Sequence, residues 1–187
     1  VGGNDTLARV EVSNATNATV FASTVKADNI SVTDLGNGRT AAVNFKAAVS
    51  ADDNRDINGG DGVMTFGSTV KTTGAHSITV TSNGGNIVLQ GVVTAGVDVI
   101  FAAGAAGTIT TGGNVVAGQN VIIDAANQAV TIGGTTNATA IVVSNATHAV
   151  TFTKATTAVG LGVGDGAGGV GGRRRAARPR DGGAARD

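Results

Sequence analysis

The chain has 187 residues, 41% of them hydrophobic, with 13 basic and 13 acidic residues and therefore no net charge. It has no Cys, which excludes a disulfide framework and a thiolate metal site, and no apolar run of about 18 residues that would span a bilayer as a helix. From Thr72 to Thr153 there is no Lys or Arg, and the only acids are Asp98 and Asp124, so this body is not built to steer nucleic acid.

The apolar content comes from Ala, Val and Ile; there are five Phe and no Trp or Tyr. Gly is 30 of the 187 residues, with no three-residue period. Val, Ile and Thr favour strands, and Gly and Asn favour turns. No long window carries helix formers at 3.6-residue spacing, so the composition predicts almost pure β structure. The first residues have neither a charged n-region nor an apolar h-region, so a signal peptide is not expected within them.

In chain order, Val10 opens the block VEVSNATNATVF and Ile30 opens ISVTDLGNGRTAAVNF. Val49 opens a block with a long polar hinge that ends in VMTF at 63–66. Ile78 opens ITVTSNGGNIVL, Val99 VIFAAGAAGTIT, Val121 VIIDAANQAVTI and Ile141 IVVSNATHAVTF. The first and last blocks share seven of twelve residues. Each block is a β-branched run, a polar or Gly-rich hinge, and a second β-branched run. A third short run follows most of them, at 23–28, 68–74, 91–97 and 113–119.

Three short strands in roughly 20 residues leave no room for a helix. The pattern predicts a right-handed, three-sided parallel β-helix, or β-solenoid, of about seven coils of 20–22 residues. At about 4.8 Å per coil it would be roughly 34 Å long. Alternation assigns the faces. Block position 1 (Val10, Ile30, Ile78, Val99, Val121, Ile141) and position 3 (Val12, Val32, Val80, Phe101, Ile123, Val143) should point inward. Position 12 adds Phe21, Leu89, Ile132 and Phe152, with Thr110 as a break. Position 2 should point outward. It reads Glu11, Ser31, Thr79, Ile100, Ile122, Val142, so Ile100, Ile122 and Val142 form an apolar stripe, either a modest surface patch or one covered by the C-terminal segment, or a candidate partner-docking surface.

The solenoid is expected over 1–160. The segment 161–187 is Gly-rich and then Arg-rich, with six of the 13 basic residues between 173 and 187. Its composition predicts a flexible linker and a solvated basic tail.

The run 84-GGNIVLQGVVTAGVDVIFAAGAAGTITTGGNVVAGQNVIIDA-125 resembles the β-solenoid repeats of large bacterial exoproteins, the filamentous haemagglutinin-like adhesins and autotransporter passenger domains. The resemblance covers most of 10–160 and is strongest over 78–152. It implies a secreted or surface-displayed bacterial protein with adhesive, matrix or biofilm roles. Its partners would be a host or neighbouring cell surface, a glycan or a matrix.

Candidate chemistry is sparse. The segment 52-DDNRDINGGDG-62 offers Asp52, Asp53, Asp56 and Asp61, of which Asp53, Asp56 and Asp61 are the candidate calcium ligands. The competing reading is a solvated insertion loop. Six Asn-x-Ser/Thr sites, at Asn4, Asn14, Asn17, Asn29, Asn137 and Asn145, read either as glycan acceptors or as turn residues. The Thr-x-Thr triplets Thr79/Thr81, Thr108/Thr110 and Thr151/Thr153 share no block column, which argues against a regular ice-binding array. His76 and His148 have no neighbouring Ser/Asp constellation, and no catalytic residue or cofactor is expected.

These readings point to a non-catalytic structural or adhesive module that acts as a stiff rod. The alternatives are a subunit that stacks end to end into fibres, and a carbohydrate-binding or carbohydrate-cleaving solenoid.

Overall fold

The computed structural model describes residues 6–13, 15–33, 41–104, 106–124, 128–145, 147–163 and 170–171. Among them every regular element is a strand, the pairing is parallel, and about seven coils stack into a β-solenoid. One face holds Leu7–Ser13, the second half of Val25–Thr33, Arg55–Gly59, Ile78–Ser82, Val99–Ala103, Asn120–Asp124, Ala140–Ser144 and Gly160–Val163. The second holds Thr19–Phe21, Val43–Phe45, Met64–Phe66, Ile87–Leu89, Ile109–Thr111, Val130–Ile132, Val150–Phe152 and Val170–Gly171. The third holds the start of Val25–Thr33, Val49–Ala51, Val70–Thr72, Val93–Ala95, Val115–Ala117, Thr136–Asn137 and Thr156–Thr157.

Most strands are three to five residues long, because a narrow coil turns a corner after that distance. On a three-residue strand the outer two residues point in and the middle one points out, as in Ile87-Val88-Leu89. The inward residues form one continuous core of Val, Ile, Ala and Phe down the axis. Each such side chain contributes about 1.5–3 kcal/mol on burial.

The register corrects the block alignment in one respect. Val10 pairs with Ile30, Ile30 with Ile57, and Ile57 with Val80. That column continues through Phe101, Ile123 and Val143. Ile78 stacks on Arg55, so position 1 of the two N-terminal blocks lies under position 3 of the later ones. A shift of two residues keeps inward residues inward. The apolar columns therefore survive it, and a periodicity argument cannot detect it.

Val49 is also not the start of a first-face strand. It pairs with Val25 below and Val70 above on the third face, whose repeated pattern is Val-x-Ala. The polar hinge expected after it contains a strand, Arg55–Gly59, with Arg55, Ile57 and Gly59 inward. On the second face the break in the position-12 column is Thr111 rather than Thr110. Thr111 pairs with Leu89 and is fully buried. One extra residue in that hinge moves Thr110 to the outside.

Phe21, Phe45 and Phe66 continue this column as a parallel ring stack, with centroids 4.6 and 4.8 Å apart and planes 3° apart. The strand spacing imposes that distance on like residues in neighbouring coils.

Glycine marks all three corners. Gly62, Gly85 and Gly107 stack before the second face; Gly91, Gly113 and Gly134 before the third; Gly74, Gly96 and Gly118 before the first. In each ladder a Cβ on the upper glycine would collide with the carbonyl oxygen of the one beneath. The chain is glycine-rich because the coils touch backbone to backbone at the corners.

The stack also runs past residue 160. Gly160–Val163 pairs with Ala140–Val143, which places Leu161 on Ile141 and Val163 on Val143. Val170 pairs with Val150. The alternating Gly of Leu161-Gly162-Val163 dilutes the apolar signal without breaking its period. The Arg-rich run at 173–187 lies outside the described residues.

Phe45, buried in the middle of the ring stack, is the direct probe of this core. Phe45→Ala should cost about 3–5 kcal/mol in denaturant unfolding. A cost below about 1 kcal/mol would mean that the rings are not packed in the interior.

Candidate functional site

The outward residues of the first face form two ladders. One runs Arg9, Asn29, Asp56, Thr79, Ile100, Ile122, Val142, Gly162. The other runs Glu11, Ser31, Asn58, Thr81, Ala102, Asp124, Ser144. Ile100, Ile122 and Val142 therefore stand on three successive coils as the sequence predicts. Glu11 and Ser31 belong to the neighbouring ladder because of the two-residue shift. Ile100 and Ile122 are half-buried, and Val142 is 38% exposed. No charge lies in this ladder between Thr79 and Gly162. The stripe is apolar and in register, and three side chains wide.

On the second face the outward ladder is Asn44, Thr65, Val88, Thr110, Thr131, Thr151. Three threonines thus stack in one column, which the Thr-x-Thr spacing did not reveal. The other members of the two triplets that contribute to it, Thr108 and Thr153, are occupied elsewhere. The Thr108 hydroxyl donates to Asn86 Oδ1 at 3.0 Å, and that of Thr153 to the Gly133 carbonyl at 2.9 Å. The array is one threonine wide.

The four acids of 52–62 are spread around the coil. Asp52 accepts from Lys26 Nζ at 2.6 Å, Thr6 Oγ1 at 2.8 Å and Thr73 Oγ1 at 3.1 Å. Asp53 faces His76 Nδ1 at 3.2 Å and accepts from the Asn54 N–H at 2.7 Å. Asp56 sits on the outer first face, and Asp61 lies at a corner beneath Gly84. Asp53, Asp56 and Asp61 thus occupy three separate positions. Among the described residues no three His, Asp or Glu side chains converge. His148 Nδ1 lies 3.1 Å from the Thr147 hydroxyl oxygen in an exposed turn, far along the chain from His76.

Several asparagines join one coil to the next. Asn54 Oδ1 accepts from the Ser77 N–H at 2.9 Å, Asn86 Oδ1 from the Thr108 N–H at 3.0 Å, and Asn114 Oδ1 from the Thr135 N–H at 3.0 Å. Asp98 Oδ1 does the same for the Asn120 N–H at 3.0 Å and also accepts from Asn120 Nδ2 at 2.9 Å. Each stands immediately before a strand and satisfies the backbone donor at the same place in the next coil. The recurrent Gly-Asn-Ile and Gly-Asn-Val phrases are corner clamps. Of the sequons, Asn29 lies in a strand with its Oδ1 buried, Asn17, Asn137 and Asn145 are exposed, and Asn4 and Asn14 lie outside the described residues. Asn145 has a positive φ of 47°, consistent with a turn role.

Sequence reasoning missed Arg55, which points into the core and has no solvent exposure. Its burial pushes the guanidinium down to about 10, against the opposing pull of the Asp28 carboxylate. The available signal was the alternation Arg55, Ile57, Gly59 against Asp56, Asn58. It was hidden by the polarity of the segment.

Parallel three-strand coils, corner glycines and inter-coil asparagine clamps define the class as a β-solenoid. No protein-family model, curated protein or solved structure matches the chain.

Asp52 gives a test of the corner network. The hydrogen bond from Lys26, then that from Thr6, holds its carboxyl below the usual value. A depressed carboxyl contributes stability that is present above the unfolded-state value near 3.8 and is lost as pH falls through the folded-state value. Asp52→Asn should therefore lower the unfolding temperature at pH 7. The difference from the parent should vanish in strong acid. An equal difference at both pH values would contradict the network.

Proposed function

We propose that the chain is a non-catalytic structural or adhesive module of a bacterial surface or secreted protein, working as a stiff β-solenoid rod. The observation that carries this reading is the uninterrupted stack of parallel coils. Bending it requires parting backbone hydrogen bonds on one of three sides at once. Its polar side chains support the same reading. Asn54, Asn86, Asp98 and Asn114 are engaged in joining coil to coil, and His76 is engaged with Asp53. The bacterial surface setting rests on the resemblance of residues 84–125.

In this reading the rod presents its first face, with Ile100, Ile122 and Val142, to a cell surface, glycan or matrix. Its area is small against the ~1,000 Å² that a stable interface needs. Contact there would be weak singly and gain strength by repetition along a longer rod.

A second reading, end-to-end assembly into fibres, is favoured by the terminal coils. Leu7 and Val20 are 37% and 49% exposed at one end, and Val159 and Leu161 are 94% and 41% exposed at the other. Among the described residues the strands Leu7–Ser13 and Gly160–Val163 each pair on one side only, and such parallel edges can template further pairing.

Sedimentation of the full chain over a range of concentrations, with electron microscopy of the same samples, separates the two. The rod reading predicts monomers that bind cells or glycans, whereas concentration-dependent fibres would favour assembly. Ile122→Lys places a charge mid-stripe on the outer face and should change stability by no more than about 0.5 kcal/mol. It should also abolish binding. Unchanged binding would remove the first face from the proposal.

A further inference from the structure

The interior of the stack holds one cluster of polar groups that the rod does not account for. Arg55 is fully buried, and its Nε, Nη1 and Nη2 have no hydrogen-bond partner among the described residues. Two buried acceptors share this condition, Asp28 Oδ1 and Asn29 Oδ1. Arg55 and Asp28 are neighbours by register, whereas Asn29 stands with Asp56 on the outward ladder. Asn29 pairs with Asp56, which sets Asp28 beside Arg55 on adjacent coils. The Asp28 charge acts on the guanidinium, yet no hydrogen bond joins them.

Five guanidinium N–H donors thus stand near an acceptor, Asp28 Oδ1, that they do not reach directly. Buried polar groups in folded proteins are almost always paired, with protein or with ordered water. We propose that the Arg55–Asp28 corner is an internal water-binding site, in which water accepts from the guanidinium and donates to Asp28 Oδ1.

Water fits both halves of the cluster because it accepts and donates. A chloride ion would satisfy the guanidinium alone. It would leave Asp28 Oδ1 unpaired and lie beside that carboxylate. The site also lies where the register shifts by two residues. Below Arg55 its column passes to Asp28, and above it to Ile78, Val99 and Val121. A hydrated charge pair is the device that lets a polar column meet an apolar one inside a single stack.

The test is nuclear magnetic resonance of the full chain, reading cross-relaxation between water and the Arg55 Nε–H in chloride-free buffer. A cross-peak of the sign given by long-lived bound water, unchanged by added chloride, is expected. A missing cross-peak, or an Nε–H resonance that moves with chloride, would overturn the proposal. A double-mutant cycle supplies an independent arm. Asp28→Ala should raise the unfolding equilibrium constant about tenfold or more in the parent, and by much less in the Arg55→Leu background. Equal effects in both backgrounds would show that the two side chains do not share a bridge. If either variant fails to fold, the resonance measurement on the parent still decides.

Discussion

Parallel stacking at about 4.8 Å is the constraint from which the rest of the structure follows. When each coil lies directly on its neighbour, a residue meets the residue one coil away at the same position. Apolar meets apolar, so Ile78, Val99, Val121 and Ile141 become a column. Phenylalanines at one position are held parallel, as in the stack of Phe21, Phe45 and Phe66. Glycine meets glycine at the corners because backbone contact there excludes a Cβ. An asparagine before a strand finds the same backbone N–H above it each time. The repetition in the sequence is the imprint of this contact on every position of the coil.

Much of this was legible in the residues. The inward columns of the first face, the third run in most coils, and the outward stripe Ile100, Ile122, Val142 all follow from period-2 alternation inside a period near 20. What escaped notice escaped for definite physical reasons. The two-residue shift beneath Ile78 preserves parity, so no apolar position changes side. The strand Arg55–Gly59 was concealed because its inward residues are Arg, Ile and Gly, of which only one is apolar. Leu161 and Val163 extend the stack through a glycine that a composition count treats as linker. The asparagine clamps point along the axis, between coils, and no argument along one chain segment reveals a bond to a residue about 22 positions away.

The candidate site was legible only as a surface. Apolar residues at a position expected to face outward are a signal that alternation supplies directly, and the register places all three together. The acids of 52–62 illustrate the opposite case. Their proximity in sequence suggested a shared ion, but a coil that turns a corner after a few residues sends neighbouring side chains to different faces. Asp52 and Asp53 go to separate partners, Lys26 and His76, while Asp56 and Asp61 lie on another face and at another corner. In a solenoid, residues about one coil apart come together, and residues a few positions apart are often separated. A functional cluster on such a rod would be written in the sequence at a spacing near 20.

The coil-on-coil register can be tested directly, because the chain has no native cysteine. Cysteines replacing Ile100 and Ile122, which are Cα partners on adjacent strands, would sit about 4.8 Å apart. That lies within disulfide range, and both would point outward. Under mild oxidation this pair should form an intramolecular bridge, detected by mass spectrometry. A pair replacing Ile100 and Ile123, which face opposite sides of the same sheet, should stay reduced. Bridging of the second pair in preference to the first, or of both equally, would contradict the stacked register.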